Sequence, residues 1–255
     1  MGSGAQALHS SAMDARQAAD SRRWYHALEL APGVVTDGWF DLRGDVHHYG
    51  LPDDMSGMRA LDVGTWDGFW AFEMERRGAD VVALDLDDER ELDWPPRRRP
   101  PEHLMSDEPR GAGFAIAHEL RGSKVERVVR SIYHATPDEL GTFDLVFCGS
   151  VLIHLRDQLL ALERIRDLVK PGGLFVSAEE YDRRGALLPW ASSRYLADRD
   201  SAVVFWMPTL RTWRAMHWTA GFDTTTVRSR FMMAAGKGDE RFTVRHAVLH
   251  SRRDG

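Results

Sequence analysis

A chain of 255 residues with 43% hydrophobic and 28% charged side chains is long enough for one α/β domain and too apolar to be intrinsically disordered. Its formal net charge of −6 argues against a nucleic-acid-binding surface, which normally needs a basic stripe. Cys148 is the only cysteine, which excludes an intrachain disulfide and favours the cytoplasm, and no apolar run approaches the roughly 18 residues of a membrane span.

The first part of the sequence precedes the predicted sheet. Residues 1–12 are rich in glycine and serine, and we expect a disordered leader there. A helical pattern that reaches Leu30 predicts a helical cap or lid over residues 13–55. Trp39 and Arg43 follow in a loop-rich segment, which indicates either a pocket wall or a cap packed on the sheet.

Five short apolar runs in the middle of the chain predict buried parallel strands, since each lies between turn signals and helical patterns. They are Arg59–Val63, Asp80–Leu84, Val125–Arg130, Phe143–Cys148 and Leu174–Ala178. Helices are predicted between them, at Gly113–Leu120 and from Leu155 to Val169, where apolar residues recur at helical spacing.

The last third of the sequence closes the predicted sheet. An irregular insertion, residues 181–207, holds Trp190 and Trp206, which we expect to line a substrate pocket. A helix around Leu210 then precedes two strands, Phe222–Arg228 and Phe242–His250, expected as an antiparallel pair. The whole pattern predicts an α/β fold over residues 56–255: a doubly wound, seven-stranded, mostly parallel sheet with an antiparallel C-terminal edge hairpin.

Ligands of such sheets bind at the carboxyl ends of the strands. The stretch RALDVGTWDGFW puts Gly64 and Gly68 in a turn between the first strand and a helix, where backbone N–H groups face a ligand. Asp85 ends the second strand about 20 residues later, where nucleotide-binding βαβ units carry an acid for the ribose hydroxyls.

The residues around this turn indicate which nucleotide binds. A dinucleotide site needs a middle glycine so that the backbone can approach a pyrophosphate, and Trp66 stands in that place. Asp62 and Asp67 would also repel phosphates, whereas acids and an indole face attract cations. S-adenosylmethionine joins a nucleoside to an ammonium and a sulfonium, so the charge pattern predicts this cofactor.

The segments DVGTWDG, VVALDLDD, FDLVFCGSVLIHL and VKPGGLFV together resemble the motif series of class I S-adenosylmethionine-dependent methyltransferases. Within that class, WYHALEL, GWFDLR, FCGSVLIHLRD and VVFWMPTLRTWRAMHWTAGF resemble the tRNA wobble-uridine methyl- and carboxymethyltransferase-like group. The first resemblance implies a Rossmann-like methyltransferase fold with S-adenosylmethionine as methyl donor.

The resemblance implies cofactor-binding roles for residues of the glycine loop, the strand ends and the upstream segment. They are Trp39, Arg43, Asp62, Gly64, Trp66, Gly68, Asp85, Leu86, Ile132, Tyr133, Cys148, Gly149 and Ser150. Ile132 and Tyr133 would hold the adenine, and Trp39 and Arg43 would face the cofactor's tail. Tyr25 or His26 falls where the narrower group is expected to carry a lysine, and we group Tyr25 with the substrate-binding residues.

His154, Glu179 and Glu180 are candidates for the catalytic base, although strand alternation is expected to turn Glu180 away from the cleft. His154 offers an imidazole suited to proton transfer near neutrality, although a helix-entry histidine bonded to backbone is an equal alternative. Glu179 ends the fifth strand and is expected to point towards the cleft, or to bond a nearby backbone group. No metal is expected, because the neighbouring His47 and His48 show no ligand spacing.

Three functions remain open from the sequence. The first is methyl transfer to a small-molecule acceptor in specialised metabolism, by a cytoplasmic monomer or homodimer. The second is tRNA modification, which the acidic charge and Ile153, where the narrower group usually carries tyrosine, both disfavour. The third is a non-catalytic cofactor-binding module. Nucleic acid and membrane are not expected as partners.

Overall fold

The computed structural model describes residues 14–198 and 203–254, so the predicted leader over residues 1–12 lies outside the described residues. The N-terminal segment contains one short helix, four short strands and a helical turn. They are α1 (residues 14–20), β1 (Trp24–His26), β2 (Glu29–Ala31), β3 (Val34–Val35), β4 (Gly38–Phe40) and α2 (Val46–Tyr49).

Alternating strands and helices follow, as the sequence predicts. They are β5 (Arg59–Val63), α3 (Phe69–Arg76), β6 (Asp80–Asp85), α4 (Ala112–Arg121), β7 (Glu126–Val129), α5 (Pro137–Leu140), β8 (Phe143–Gly149), α6 (Gln158–Leu168) and β9 (Val169–Glu180). The chain then forms β10 (Ser193–Tyr195), β11 (Trp206–Pro208), α7 (Leu210–Thr219), β12 (Thr224–Ala235) and β13 (Phe242–Arg252).

Seven of these strands form the central sheet, in the order β12-β13-β9-β8-β5-β6-β7. The strands from β9 to β7 run parallel, whereas β13 pairs antiparallel with both β9 and β12. The predicted fold class is therefore confirmed. The chain leaves β5 towards β6 on one side, and β8 lies on the other side of β5, so the strand order reverses there.

Side chains on the two faces of this sheet form separate apolar layers. One face packs Leu61, Val146 and Phe175 against α6, and the other packs Phe147 and Val176 against α3 and the N-terminal segment. Residues of the central strands are almost entirely buried, as expected for parallel strands covered on both faces. This rigid core fixes the strand ends at which ligands bind.

The predicted helical character of the N-terminal segment is wrong between Trp24 and Phe40, where four short strands form. Trp24 and His26 are buried with Tyr25 between them only partly buried, which is the alternation of a strand. The strand β1 pairs with β4, so that Trp24 lies opposite Gly38 and His26 opposite Phe40. Tertiary pairing therefore overrides the helical spacing of the apolar residues.

Two further boundaries differ from prediction. The helix α6 begins at Gln158 rather than Leu155, because the Asp157 side chain accepts a hydrogen bond from the backbone nitrogen of Leu160 and caps the helix. The hairpin strands β12 and β13 are longer than predicted, and their pairing has a register shift after Val227. Across the described residues, no helix is both long and apolar enough to cross a membrane.

Candidate active site

A cleft of about 820 Å³ opens at the carboxyl ends of β5, β6 and β8. Its wall contains many of the residues that the sequence singles out, drawn from segments far apart in the chain. Those are Tyr25, Asp62, Gly64, Trp66, Asp85, Leu86, Ile132, Tyr133, Gly149, Ser150 and His154. The structure thus gathers the predicted strand-end residues around one cavity.

The glycine loop between β5 and α3 fits tightly against the loop after β8. Gly64 has φ +76°, and a Cβ added there would lie 2.3 Å from Val151 Cγ2. Trp66 and Ser150, which both line the cleft, also have left-handed φ values, of 50° and 56°. Strained backbone at non-glycine residues concentrates at functional sites, and here it lies on both sides of the cavity.

The carboxylate of Asp85 is held in place by two backbone donors. Its Oδ2 accepts from the Trp66 nitrogen at 2.7 Å, and its Oδ1 accepts from the Leu86 nitrogen at 2.7 Å. Burial raises the pKa of Asp85, while the nearby Arg110 guanidinium opposes that shift. Each oxygen keeps a second lone pair, so both can accept from a pair of ribose hydroxyls.

Asp62 places a second acid in the cleft, below the glycine loop. Its Oδ2 accepts from the Ala71 nitrogen at 3.1 Å, and burial raises the pKa of this carboxyl to about 7. A carboxylate in such surroundings gains most from a cationic ligand, which restores its charged form. The acid therefore fits an ammonium group.

Trp66 is packed between residues of two other segments. The ring of Tyr25 stacks on the indole with centroids 4.6 Å apart, and the Arg110 guanidinium lies 3.9 Å from the indole centroid. Both contacts hold the indole at the cleft wall. The side chain that stands in place of a middle glycine is thus a fixed part of the site.

Asp67 does not face the cleft as a free acid, which corrects the expectation that it repels phosphates there. It accepts hydrogen bonds from the Tyr25 and His26 backbone nitrogens at 2.9 and 3.0 Å, and its Oδ1 contacts the His26 Nδ1. Asp67 is 2% exposed, and His26 lines the cleft. The sequence analysis missed this pair, because its members lie 41 residues apart and no local spacing marks them.

The His26 ring has a defined orientation. Since the carboxylate of Asp67 accepts at Nδ1, the neutral imidazole carries its proton there and leaves Nε2 as the acceptor. None of the described residues forms a hydrogen bond with His26 Nε2. The site thus holds an oriented imidazole whose Nε2 keeps its lone pair.

The cleft wall beside His26 is aromatic and apolar. Phe40, Tyr49, Trp70 and Met233 line it, and the Tyr49 and Trp70 rings lie 4.1 Å apart. Burial raises the pKa of the Tyr49 phenol well above its ordinary value. This half of the cleft can enclose a planar or apolar molecule.

His154 and Glu179 occupy different environments. His154 lines the cleft, and its Nδ1 contacts the carbonyl oxygen of Val203. Glu179 is buried, and its Oε1 accepts from the Val151 and Leu152 nitrogens at 3.0 and 2.8 Å. Burial raises the pKa of Glu179 to about 8. The glutamate therefore supports the loop after β8 from below, which is the backbone-bonding alternative.

The structure does not bring the remaining predicted site residues into the cleft wall. Trp39 points away from the cleft and packs 6.4 Å from the Phe242 ring, while its neighbour Phe40 faces the cavity. Arg43 forms an ion pair with Asp41 at 2.7 Å in a separate groove. Strand alternation directs the Trp39 side chain away from the cleft, and the ion pair with Asp41 holds Arg43 in the separate groove. Neither residue therefore lies where the tail of the cofactor was expected.

Four more predicted residues lie elsewhere. The Cys148 side chain is fully buried in the core, and Gly68 packs against Phe72 and Phe114 at the start of α3. Trp190 and Trp206 are 62% and 36% exposed, outside the cleft wall. A substrate role for these two tryptophans is not supported by their position.

The described residues contain no group of three or more histidine, cysteine or acidic side chains that could hold a metal ion. His47 and His48 instead stack on each other with centroids 3.9 Å apart, and His48 stacks on Phe231 at 4.4 Å. Ring packing therefore accounts for the closeness of these two histidines.

The sheet order, the glycine loop and the paired positions of Asp62 and Asp85 define a class I S-adenosylmethionine-dependent methyltransferase domain. The site fits the cofactor, because Asp85 offers acceptors for a ribose, Asp62 offers an anion for the ammonium, and Leu86 and Ile132 offer apolar surface for the adenine.

Comparison with known proteins agrees with this class. The profile of the family described as "Methyltransferase domain" matches residues 41–227, and the chain belongs to this family. The ubiquinone biosynthesis O-methyltransferase of Xanthomonas oryzae pv. oryzae is 30% identical over 146 residues, which make up 56% of this chain and 52% of that protein. The chain therefore matches about half the length of its curated relatives.

Solved structures share the fold at low sequence identity. The N-terminal domain of EvdMO1 with SAH bound has a TM-score of 0.60 at 17% identity, and the match covers 95% of this chain and 96% of that one. The Burkholderia thailandensis 1,6-didemethyltoxoflavin-N1-methyltransferase, with 1,6-didemethyltoxoflavin and S-adenosylhomocysteine bound, has a TM-score of 0.52 at 16% identity, covering 78% and 72%.

Proposed function

We propose that this protein transfers a methyl group from S-adenosylmethionine to a small, largely apolar acceptor. The observation that carries the proposal is the composition of this cleft: anchored acids line one part, and an aromatic wall lines another. When bound, S-adenosylmethionine supplies an electrophilic methyl group on a sulfonium.

In this proposal the glycine-loop side of the cleft holds the cofactor. Asp85 binds the ribose hydroxyls, Asp62 binds the ammonium, and Leu86, Ile132 and Tyr133 flank the adenine. Gly64, Gly149 and Ser150 form the floor beneath the methionine part, where the absence of a Cβ at Gly64 lets the two loops meet.

The acceptor would lie against Phe40, Tyr49 and Trp70, with Tyr25 at the border with the cofactor side. The preference for an aromatic or otherwise apolar acceptor follows from this wall. One curated relative is named as an O-methyltransferase of ubiquinone biosynthesis, and one similar structure as a 1,6-didemethyltoxoflavin N1-methyltransferase, which supports a small-molecule acceptor here too.

His26 is the base that the geometry favours. Its Nε2 can take the proton of an acceptor hydroxyl or amine while Asp67 holds Nδ1 and stabilises the resulting imidazolium. His154 also lines the cleft and stays a predicted second base. Glu179 acts in this proposal as a positioning residue, since it bonds the Val151 and Leu152 nitrogens.

The narrower resemblance to the tRNA wobble-uridine group stays a prediction from the sequence motifs. The relatives named above lend it no support, and the chain's net charge of −6 opposes binding to a polyanion. Binding of unfractionated tRNA at low salt would revive it.

The test combines calorimetry with labelling. We expect the protein to bind S-adenosylmethionine and S-adenosylhomocysteine, and to transfer labelled methyl to a small molecule in extracts, read by mass. His26→Gln should keep cofactor binding and lose about 100-fold or more of the transfer rate, as removal of a general base does. Absence of binding would overturn the proposal, and binding without any labelled product would favour a non-catalytic module.

A further inference from the structure

Exposed aromatic and apolar side chains gather on one face of the molecule, outside the cleft. Leu187 is 92% exposed, Trp190 62% and Trp218 72%. Trp190 lies on the turn after β9, beside Leu188 and Arg211. Trp218 lies on α7, in a groove shared with Arg211 and Arg214. Arg211 also donates a hydrogen bond to the Pro189 carbonyl oxygen, which ties the turn to the helix.

The helix α7 presents a regular stripe on this face. Arg211, Arg214 and Trp218 follow one another at spacings of three and four residues and are all exposed. The opposite side of the same helix buries Trp213 and His217 against the sheet. The solvent-facing side of this helix therefore carries a large exposed indole beside its guanidinium groups, in addition to the apolar side that packs on the sheet.

The charge of this face differs from that of the chain. Arg183, Arg184, Arg211, Arg214 and Arg230 are exposed, and none of them forms an ion pair with any described residue. Elsewhere the arginines are commonly paired, as Arg90 is with Asp107 and Arg127 with Asp87. Asp223 is the only acid in the groove that holds Arg214, Trp218 and Arg230. A basic, aromatic face thus stands on a chain with a net charge of −6.

We propose that this face docks peripherally on an anionic lipid bilayer. Tryptophan side chains are enriched at the membrane–water interface, and exposed arginines are attracted to anionic headgroups. A second copy of the chain packed about a two-fold axis would bring the same arginines together, which like charges oppose. This docking revises the expectation of no membrane partner, which considered only a membrane span.

Docking on this face would bring the bilayer near the cleft edge of the sheet at one end of the face, the turn that carries Leu187 and Trp190, whereas Trp218 lies towards the opposite edge. The turn that carries Leu187 and Trp190 follows Glu180, the last residue of β9, and the cleft opens at the carboxyl ends of the neighbouring strands. The inference itself does not depend on methyl transfer, because it rests on the exposed face alone.

The experiment is co-sedimentation of the full-length protein with large unilamellar vesicles, at low and at moderate salt. We expect binding to vesicles of equal phosphatidylcholine and phosphatidylglycerol, and none to phosphatidylcholine alone. The double variant Arg211→Glu with Arg214→Glu should weaken binding by at least about tenfold, since each basic residue near an anionic surface is worth roughly fivefold. The matched control is Arg97→Glu with Arg99→Glu, exposed arginines in another loop, which should bind as the wild type does.

A second readout tests the tryptophans. Vesicles that contain brominated phospholipid should quench part of the tryptophan fluorescence, and Trp190→Ala with Trp218→Ala should abolish that part. Thermal melting checks that each variant is folded. Equal binding to neutral and anionic vesicles, no binding to either at low salt, or undiminished binding of the double arginine variant would overturn the proposal. The proposal would also be overturned if the protein bound no vesicles and instead dimerised with increasing concentration, and if the tryptophan variant lost that dimerisation.

Discussion

Asp67 holds His26 at two points, with Oδ2 accepting from the backbone nitrogen at 3.0 Å and Oδ1 contacting the ring Nδ1. One side chain of the glycine loop therefore fixes both the path of the N-terminal strand and the orientation of an imidazole in the cleft. In the proposed function, the cofactor side and the acceptor side of the site share this anchor.

Asp67→Asn should destabilise the fold, because an NH2 group replaces the oxygen that accepts from the His26 ring, and the Tyr25 and His26 backbone N–H groups exchange a charged acceptor for a neutral one. We expect a loss of about 1–3 kcal/mol in the free energy of unfolding, measured with urea. Asp53→Asn, at an exposed position, is the control and should change little. Equal stability of the Asp67 variant and the wild type would contradict the anchoring role.

Asp85→Ala should weaken the binding of S-adenosylhomocysteine, measured by calorimetry. The expected loss is roughly 10- to 100-fold, because hydrogen bonds to a charged acceptor contribute about 1.5–3 kcal/mol. Asp80→Ala lies on the same strand, at the opposite end and exposed, and should bind as the wild type does. If both variants bind alike, Asp85 is not a ribose-binding residue.

Gly64→Ala should lower the melting temperature for two separable reasons. The new Cβ would lie 2.3 Å from Val151 Cγ2, and the left-handed backbone itself costs a non-glycine residue about 1–2 kcal/mol. Gly57→Ala isolates the second effect, because Gly57 has the same φ of +76° and nothing within 4 Å. Adding Val151→Ala to Gly64→Ala should recover the steric part only. A Gly64 variant no less stable than the Gly57 variant would refute the close approach of the loops.

Glu179 should make the protein less stable as pH rises. The folded carboxyl keeps its proton up to a pKa of about 8, whereas the unfolded one releases it near 4.5, so the folded state binds more protons between these values. The free energy of unfolding should then fall with pH in that window, by up to about 1.4 kcal/mol per pH unit. Glu179→Gln should flatten the slope in urea unfolding, and Glu126→Gln, on an exposed edge strand, should not. An unchanged slope in Glu179→Gln would exclude this carboxyl as its source.

The sequence predicted the sheet well because its signals are local. Parallel central strands appear as apolar runs, and Asp85 is found by its spacing from Gly64, so both follow from a single stretch of chain. The class of cofactor followed from Trp66 and Asp62, which are part of the same stretch. These features need no knowledge of distant contacts.

The N-terminal contribution to the site could not be predicted in this way. β1 has three residues and is stabilised by pairing with β4 and by hydrogen bonds to Asp67. The local sequence therefore determines neither that this segment is a strand nor which of its side chains face the cleft. A shift of one residue on β4 decides that Phe40 lines the cleft and Trp39 does not. The Asp67–His26 pair likewise depends on a contact that only the folded chain makes.

The burial of Cys148 makes the molecule convenient for fluorescence work. It is the sole thiol of the chain, it is fully buried, and that burial raises its pKa well above the ordinary value, so maleimide dyes should spare it in the folded protein. A cysteine introduced on the turn beside Trp190 would therefore take up a dye site-selectively without any prior removal of native cysteines.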